Sequence, residues 1–168
     1  MKRLFLLRHA KSSWDDPKMA DRDRPLNARG LRDAPRMAAY MRAHGYVPDL
    51  ALCSPAVRTR ETAQALIPVI GEFPISYPEA LYLAEPQTLH RLLAAQETGD
   101  AVLVVGHNPG LATLATQITD FESLDDARHV HSFPTAALAV FEADAPDWPT
   151  AMSTRLKLID FMTPKALP

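Results

Sequence analysis

Leu4-Phe5-Leu6-Leu7-Arg8-His9-Ala10-Lys11-Ser12-Ser13-Trp14 passes from four consecutive large apolar residues straight into a cluster of reactive polar groups. The apolar run has the length of a short strand and no polar alternation, so it reads as a strand covered on both faces, as in a parallel sheet. Arg8 and His9 then stand at its carboxyl end. In open α/β sheets that edge collects ligands, because side chains and helix amino termini converge there. An Arg-His pair after a strand is also what an ordinary polar loop looks like, so it gains meaning only from partners elsewhere in the chain.

A chain of 168 residues fits one domain, residues 1–168, with a proper core and no second domain of ordinary size. Its 47% hydrophobic and 23% charged content is that of a soluble globular protein. A net charge of -2 gives no general attraction to nucleic acid or an anionic membrane, so any anion chemistry has to be local. Lys2-Arg3 with four apolar residues is too short for a secretory signal, and no run approaches the roughly 18 apolar residues of a membrane span. Cys53 is the single cysteine, which excludes an internal disulfide and a cysteine-rich zinc site. Both facts suit a reducing cytoplasm. No metal or cofactor motif is present, and none is expected.

Residues 12–26 are polar and contain proline, a loop leaving directly from the Arg8-His9 corner. Asn27 is positioned to cap a helix from Ala28 to Ala43, with Leu31, Ala34, Ala38 and Met41 at helical spacing and Pro35 expected to kink it or delay its start. Leu50–Cys53 is a second strand, and Ser54-Pro55 opens a helix that ends before Pro68 or near Gly71. Pro74–Tyr77 is a weak third strand, and Glu85-Pro86 begins another helix. Ala101–Val105 is the clearest buried strand; it stops at Gly106-His107-Asn108-Pro109-Gly110, and a helix follows from Leu111 to Ile118. Glu122–Ser132 reads as a polar loop. Ala136–Glu142 and Thr154–Phe161 then read as two strands joined by the Pro146–Pro149 connection, antiparallel at one edge. The alternation of strands and helices predicts a three-layer α/β/α fold with a mostly parallel sheet.

Three strand ends carry the informative residues: Arg8-His9, Ser54-Pro55-Ala56-Val57-Arg58, and Gly106-His107-Asn108. In one sheet all three face the same rim, which gathers two arginines and two histidines around one small volume. That is phosphate chemistry, because guanidinium forks match phosphate oxygens and the helix amino termini add dipoles of the same sign. Histidine is the group suited to attack phosphorus, since Ser12, Ser13 and Ser54 have no base fixed beside them by sequence. A neutral imidazole is a nucleophile at pH 7, and neighbouring guanidinium charges lower its pKa and keep the free base available. His9 then takes the phosphoryl group and water removes it, while Arg8, Arg58 and His107 neutralise the equatorial oxygens.

Four blocks, Leu7–Trp14, Arg24-Pro25-Leu26-Asn27-Ala28-Arg29-Gly30, Ser54–Ala63 and Val105–Gly110, resemble in order and register the histidine phosphatase superfamily, with its phosphoglycerate mutase-like fold. Together they look most like the short bacterial phosphohistidine phosphatases of the SixA type. The resemblance implies His9 as the phosphorylated nucleophile and Arg8, Arg58 and His107 as the phosphate pocket. Two departures stand out: Ala10 follows the first histidine where the family often has glycine, and Asn108 follows the second where the phytase branch has an aspartate. Glu79 and Glu85 flank the region of the mutase-like proton donor, yet neither sits in a matching motif.

A site without a strong acid is biased toward a phosphoramidate, whose imidazole leaves more easily than an alkoxide. Only 48 residues separate Arg58 from His107, too few for a lid domain, and an open rim admits a protein side chain. The expected substrate is therefore a phosphohistidine on another protein. The alternatives are a small-molecule phosphomonoesterase of the same family and, in another class, a phosphate-binding adaptor without turnover. Lys11, Ser13, Arg24 and Asn108 are further candidates for contact with substrate. Cys53 to Arg58 has one residue too few for a cysteine-phosphatase loop and lacks its glycines. His129 and His131 lack a third ligand to hold a metal and read as part of the polar loop.

Overall fold

The computed structural model describes residues 1–122 and 124–168. Among them, β1 (Lys2–Arg8), β2 (Leu50–Cys53), β3 (Ile75–Ser76), β4 (Ala101–Gly106), β5 (Leu138–Ala143) and β6 (Lys157–Met162) form one sheet in the order β3-β2-β4-β1-β5-β6. The first four strands in that order run parallel, and β5 and β6 finish one edge antiparallel. β1 sits between β4 and β5, with Leu7 opposite Val105 on one side and Leu138 on the other.

The period of two along β1 decides the layers. Phe5 and Leu7 point to the face covered by α1 (Ala28–Ala43) and α2 (Val57–Ile70), where Met37, Met41 and Leu66 meet them. Leu4 and Leu6 point to the opposite face, covered by α3 (Pro86–Ala94), α4 (Gly110–Ile118), α5 (Leu124–Ser132) and α6 (Trp148–Ser153). All four residues are buried, which is why the run lacks alternation. The three-layer α/β/α arrangement is the expected one.

Four local expectations need correction. α1 starts after Asn27, whose Oδ1 accepts the Gly30 N–H at 2.9 Å, but it runs on through Pro35. Losing one backbone hydrogen bond there costs about 3 kcal/mol, and full burial of Met37 and Met41 returns about 1.5–3 kcal/mol each. Pro55 stands ahead of α2 rather than in its first turn; α2 ends at Ile70, with Gly71 as its cap at φ 111°. The stretch read as a polar loop contains α5, whose acidic first turn (Asp125, Asp126) and basic last turn (His129, His131) complement the helix dipole, and whose Val130 is buried in the core. Ser123 of that stretch lies outside the described residues. The connection before β6 holds α6, capped by Asp147 Oδ1 accepting the Thr150 N–H at 2.8 Å and anchored by the buried Trp148.

Two glycines let helices approach the loops that border the rim. A Cβ on Gly30 would lie 2.2 Å from the Lys11 carbonyl oxygen, and one on Gly110 would lie 2.0 Å from that of Ala84. Both obstacles are backbone, so neither can yield without moving a loop. Gly30→Ala is expected to cost about 1–3 kcal/mol of strain. In a domain of this size that lowers the midpoint of thermal unfolding by about 2–12 °C, measurable by calorimetry.

Candidate active site

The main chain of His9 is clamped where β1 ends: its N–H donates to the Gly106 carbonyl at 3.1 Å and its carbonyl accepts the Ala136 N–H at 3.0 Å. The next residue is tied to α2, because Thr62 Oγ1 accepts the Ala10 N–H at 3.0 Å while donating to the Arg58 carbonyl at 2.7 Å. Ser54, after β2, is pinned by its N–H to the Val105 carbonyl at 3.0 Å. Three neighbouring strand ends thus fix the three groups in one place. The rings of His9 and His107 lie 5.4 Å apart, and Arg58 Nη2 donates to His107 Nδ1 at 3.3 Å.

The hydrogen bonds assign the tautomers. A carbonyl only accepts, so the 2.7 Å contact of His9 Nδ1 with the Ala10 carbonyl places the proton on Nδ1 and leaves the Nε2 lone pair free. His107 Nδ1 accepts from Arg58, so its Nε2–H donates to Ser54 Oγ at 2.7 Å. Ser54 is therefore a hydrogen-bond acceptor for His107 and gains no general base from it.

Burial lowers the His9 pKa to about 4; the charges of Arg58, Arg8 and Arg24 act in the same direction, and the bond to Ala10 opposes them. Burial likewise takes His107 down to about 3, with help from Arg58 and opposition from Asp21. Like-charge repulsion, the cause expected from sequence, is thus second to desolvation. Arg8 is itself lowered by burial and then by Arg58. Its Nη1 donates to the Phe133 carbonyl at 3.1 Å, and its buried Nε has no partner among the described residues, an uncommon state for a buried donor.

Asp21 was not singled out in the sequence, and it is the carboxylate that reaches this cluster. Arg58 Nη1 donates to its main-chain carbonyl at 2.7 Å, Arg58 Nη2 to Oδ2 at 3.0 Å, and Arg24 Nη1 to Oδ1 at 3.0 Å. The Tyr82 hydroxyl also donates to Oδ2, and the Tyr82 ring stands edge-on to His107 at 5.7 Å. Burial pushes the Asp21 pKa up, but the hydrogen bonds from Tyr82, Arg58 and Arg24 outweigh it and hold the carboxyl at about 2. The alternation Asp21-Arg22-Asp23-Arg24 was the available hint. Nothing local showed that Arg58, 37 positions on, would meet it.

The other sequence candidates are placed as follows. Arg24 is buried and uses all three nitrogens, on the Ser13 carbonyl at 2.9 Å, on Asp21 and on Ser12 Oγ, with Trp14 stacked 3.1 Å from its guanidinium carbon. Trp14 is 69% exposed, so it covers Arg24 and is no part of the core. Lys11 accepts the Asn27 N–H on its carbonyl at 2.9 Å, and Ser13 Oγ accepts the Asp15 N–H at 3.1 Å. Asn108 Nδ2 donates to the Phe133 carbonyl at 2.9 Å, the same oxygen that Arg8 uses. Glu79 is exposed and paired through both oxygens with Arg22, and Glu85 is exposed at the start of α3. Burial pushes the Cys53 thiol up to about 12, the state of a structural cysteine. Among the described residues no three His, Cys, Asp or Glu side chains converge as a metal site requires, His129 and His131 included.

Known proteins resemble this chain in sequence and in fold. Residues 4–82 match the family model of the histidine phosphatase superfamily (branch 1). An uncharacterized protein of Mycobacterium tuberculosis H37Rv is 36% identical over 165 residues, covering 95% of this chain and all of the relative. A solved structure of a proposed phosphohistidine phosphatase SixA from Agrobacterium tumefaciens superposes with a TM-score of 0.84 at 36% identity, over 96% of this chain and 97% of the other. A second such structure, from Nakamurella multipartitia, has a TM-score of 0.85 at 27% identity, over 98% and 97%. The chain belongs to the histidine phosphatase superfamily and is a phosphatase of that family, with the SixA-like fold.

Two consequences can be measured. Both histidines have native pKa values below the unfolded value near 6.5, so the unfolded chain binds protons that the native protein refuses. Their stabilisation is present above pH 6.5 and is lost as pH falls toward 4, at about 2–3 kcal/mol per pH unit for the pair. Denaturant unfolding at pH 7.5, 6.0 and 5.0 will show this slope, and His9→Gln will remove about half of it. Second, an ionised Asp21 cannot donate a proton. Asp21→Asn is expected to change kcat/KM for an aryl phosphate and for an alkyl phosphate by the same factor, within about threefold. A loss confined to the alkyl phosphate, of the roughly hundredfold size typical of a missing general acid, would make Asp21 the donor.

Proposed function

We propose that the protein dephosphorylates phosphohistidine on another protein, through a covalent phosphohistidine on His9. Residues 1–168 are read as one histidine phosphatase domain, with no lid inserted between Arg58 and His107. The observation that carries the choice of substrate is the state of Asp21: the carboxylate at the cluster is ionised and tied to Arg58, so it offers no proton to an alkoxide. A phosphohistidine needs none when the second nitrogen of its ring is protonated, because the ring departs as neutral imidazole.

In the first step the His9 Nε2 lone pair attacks phosphorus, the P–N bond to the substrate breaks, and its electron pair stays on the departing ring. In the second, water attacks the phosphoryl group on His9, the P–Nε2 bond breaks with its pair returning to Nε2, and the proton of water leaves on hydrogen phosphate. Arg8 and Arg58 neutralise charge on the transferring group, with His107 as a neutral polar neighbour. The Nδ1–H bond to Ala10 keeps Nε2 as the attacking nitrogen through both steps. The guanidinium groups of Arg8 and Arg58 beside the His9 ring support the pocket reading, since both match phosphate oxygens.

The test sets wild type and His9→Ala against a histidine-phosphorylated protein and p-nitrophenyl phosphate. The expected outcome is release of phosphate from the protein, acid-labile phosphate trapped on His9, and a loss of at least about a thousandfold in His9→Ala; Arg58→Ala should lose about a hundredfold or more. Turnover of the aryl phosphate with the phosphoprotein untouched would assign a small-molecule phosphomonoesterase instead. Phosphate binding without release or trapping would assign an adaptor.

A further inference from the structure

Beside the site, on the α1 face of the sheet, lies a cleft of about 420 Å³ with four cations and one carboxylate around it: Arg29, Arg32 and Arg36 of α1, Lys165 of the turn after β6, and Asp33. In a chain of net charge -2 this is a concentrated excess of positive charge. Asp33 is 5% exposed; its Oδ1 accepts from Arg36 Nη1 at 3.3 Å, and it is ion-paired with Arg32 Nε at 3.5 Å and Arg29 Nε at 3.8 Å. One carboxylate cannot neutralise three guanidinium groups, and Arg29 and Arg32 keep side-chain exposures of 56% and 64%.

The cleft adjoins the catalytic corner through one short loop. Arg29 Nη2 donates to Thr135 Oγ1 at 3.4 Å, and the next residue, Ala136, donates its N–H to the His9 carbonyl. The same loop begins at Phe133, whose carbonyl accepts Arg8 and Asn108. The cations thus stand one loop away from the His9 corner, within reach of a macromolecule that brings a side chain to His9.

From this geometry we infer that the cleft docks an acidic segment of the protein substrate; its identification with the substrate rests on the function proposed above. The spacing favours a string of carboxylates over a single compact anion. Arg29 and Arg36 are about 10 Å apart along the helix axis, and Asp33 between them already holds a negative charge at the centre of the cluster. A run of Asp and Glu, advancing about 3.3 Å per residue, instead reaches the outlying guanidinium groups one by one. Rim charges of this kind act on encounter and affinity, not on chemistry.

The test uses the full chain and two readouts. The first is fluorescence anisotropy of a labelled, unphosphorylated ten-residue peptide rich in glutamate, against its glutamine counterpart, at 50 mM salt. Wild type should bind the acidic peptide more tightly. Arg29→Gln/Arg32→Gln should weaken that binding about fivefold and Lys165→Gln about twofold, the scale of exposed ion pairs. Arg36 is retained in the double variant so that the buried Asp33 keeps its nearest partner. The second readout is turnover of phosphohistidine peptides flanked by either sequence: KM for the acidic one should rise by the same factor in the variants, with kcat and the neutral peptide unchanged. Equal binding of the two peptides by wild type, or a preference that survives in both variants, would overturn the inference. So would displacement of the peptide by micromolar pyrophosphate, which would make the cleft a site for small phosphate compounds. Loss of the binding preference with neither phosphopeptide turned over leaves the docking surface standing and removes the phosphohistidine reading.

Discussion

Two imidazoles are kept without charge while guanidinium groups crowd them, and the rest of the site depends on that arrangement. Water would permit a histidine near neutral pH to ionise; the pocket does not, because His9 and His107 are buried and because Arg8 and Arg58 already hold positive charge there. The two effects have the same sign, so both imidazoles stay free bases far below neutrality. The cost falls on folding, since the buried cations lose hydration; the hydrogen bonds of Arg58 to Asp21 and of Arg8 to Phe133 return part of it.

The sheet makes this arrangement possible. β1, β4 and β2 are adjacent and parallel, so their carboxyl ends lie side by side; β1 and β4 deliver His9 and His107 one residue past the strand, and β2 leads to Arg58 five residues on, in the first turn of α2. Strand interiors are apolar on both faces and immobile in packing, whereas the polar groups begin where the backbone leaves the ladder. Precision at the rim comes from the core beneath it, as when Leu7 sits between Val105 and Leu138 one residue before Arg8.

What could be read from the chain was what lies close to a strand end. Three of the four blocks carried Arg8, His9, Arg58 and His107 because local pattern placed each at a strand end or a helix start, and the layer order followed from the strand and helix periods. Asp21 was not legible, since it sits in a polar stretch that resembles any surface loop and meets Arg58 only across the fold; Tyr82, in the short apolar run Ala80–Ala84, meets Asp21 in the same long-range way. α5 was missed for a related reason: its buried anchor Val130 gives no periodicity by itself. α6 carried a signal that went unread, Asp147 ahead of Trp148-Pro149, a capping residue followed by proline in the first turn. Trp14 shows the limit of hydrophobicity as a guide to the core, because a cation beneath its ring suffices to hold it at the surface.

The hydroxyl of Thr62 touches both sides of the cluster, receiving the amide of Ala10, the residue after His9, and donating to the carbonyl of Arg58. The separation between His9 and Arg58 is thereby bridged by a two-bond relay across the fold, independent of the chain that connects them. Of the loop between β1 and α1, Asp21 and Arg24 belong to the site and are held there, whereas residues 15–20 are exposed and touch neither Thr62 bond. The composition of the mouth can change through that exposed segment while His9 and Arg58 keep their separation.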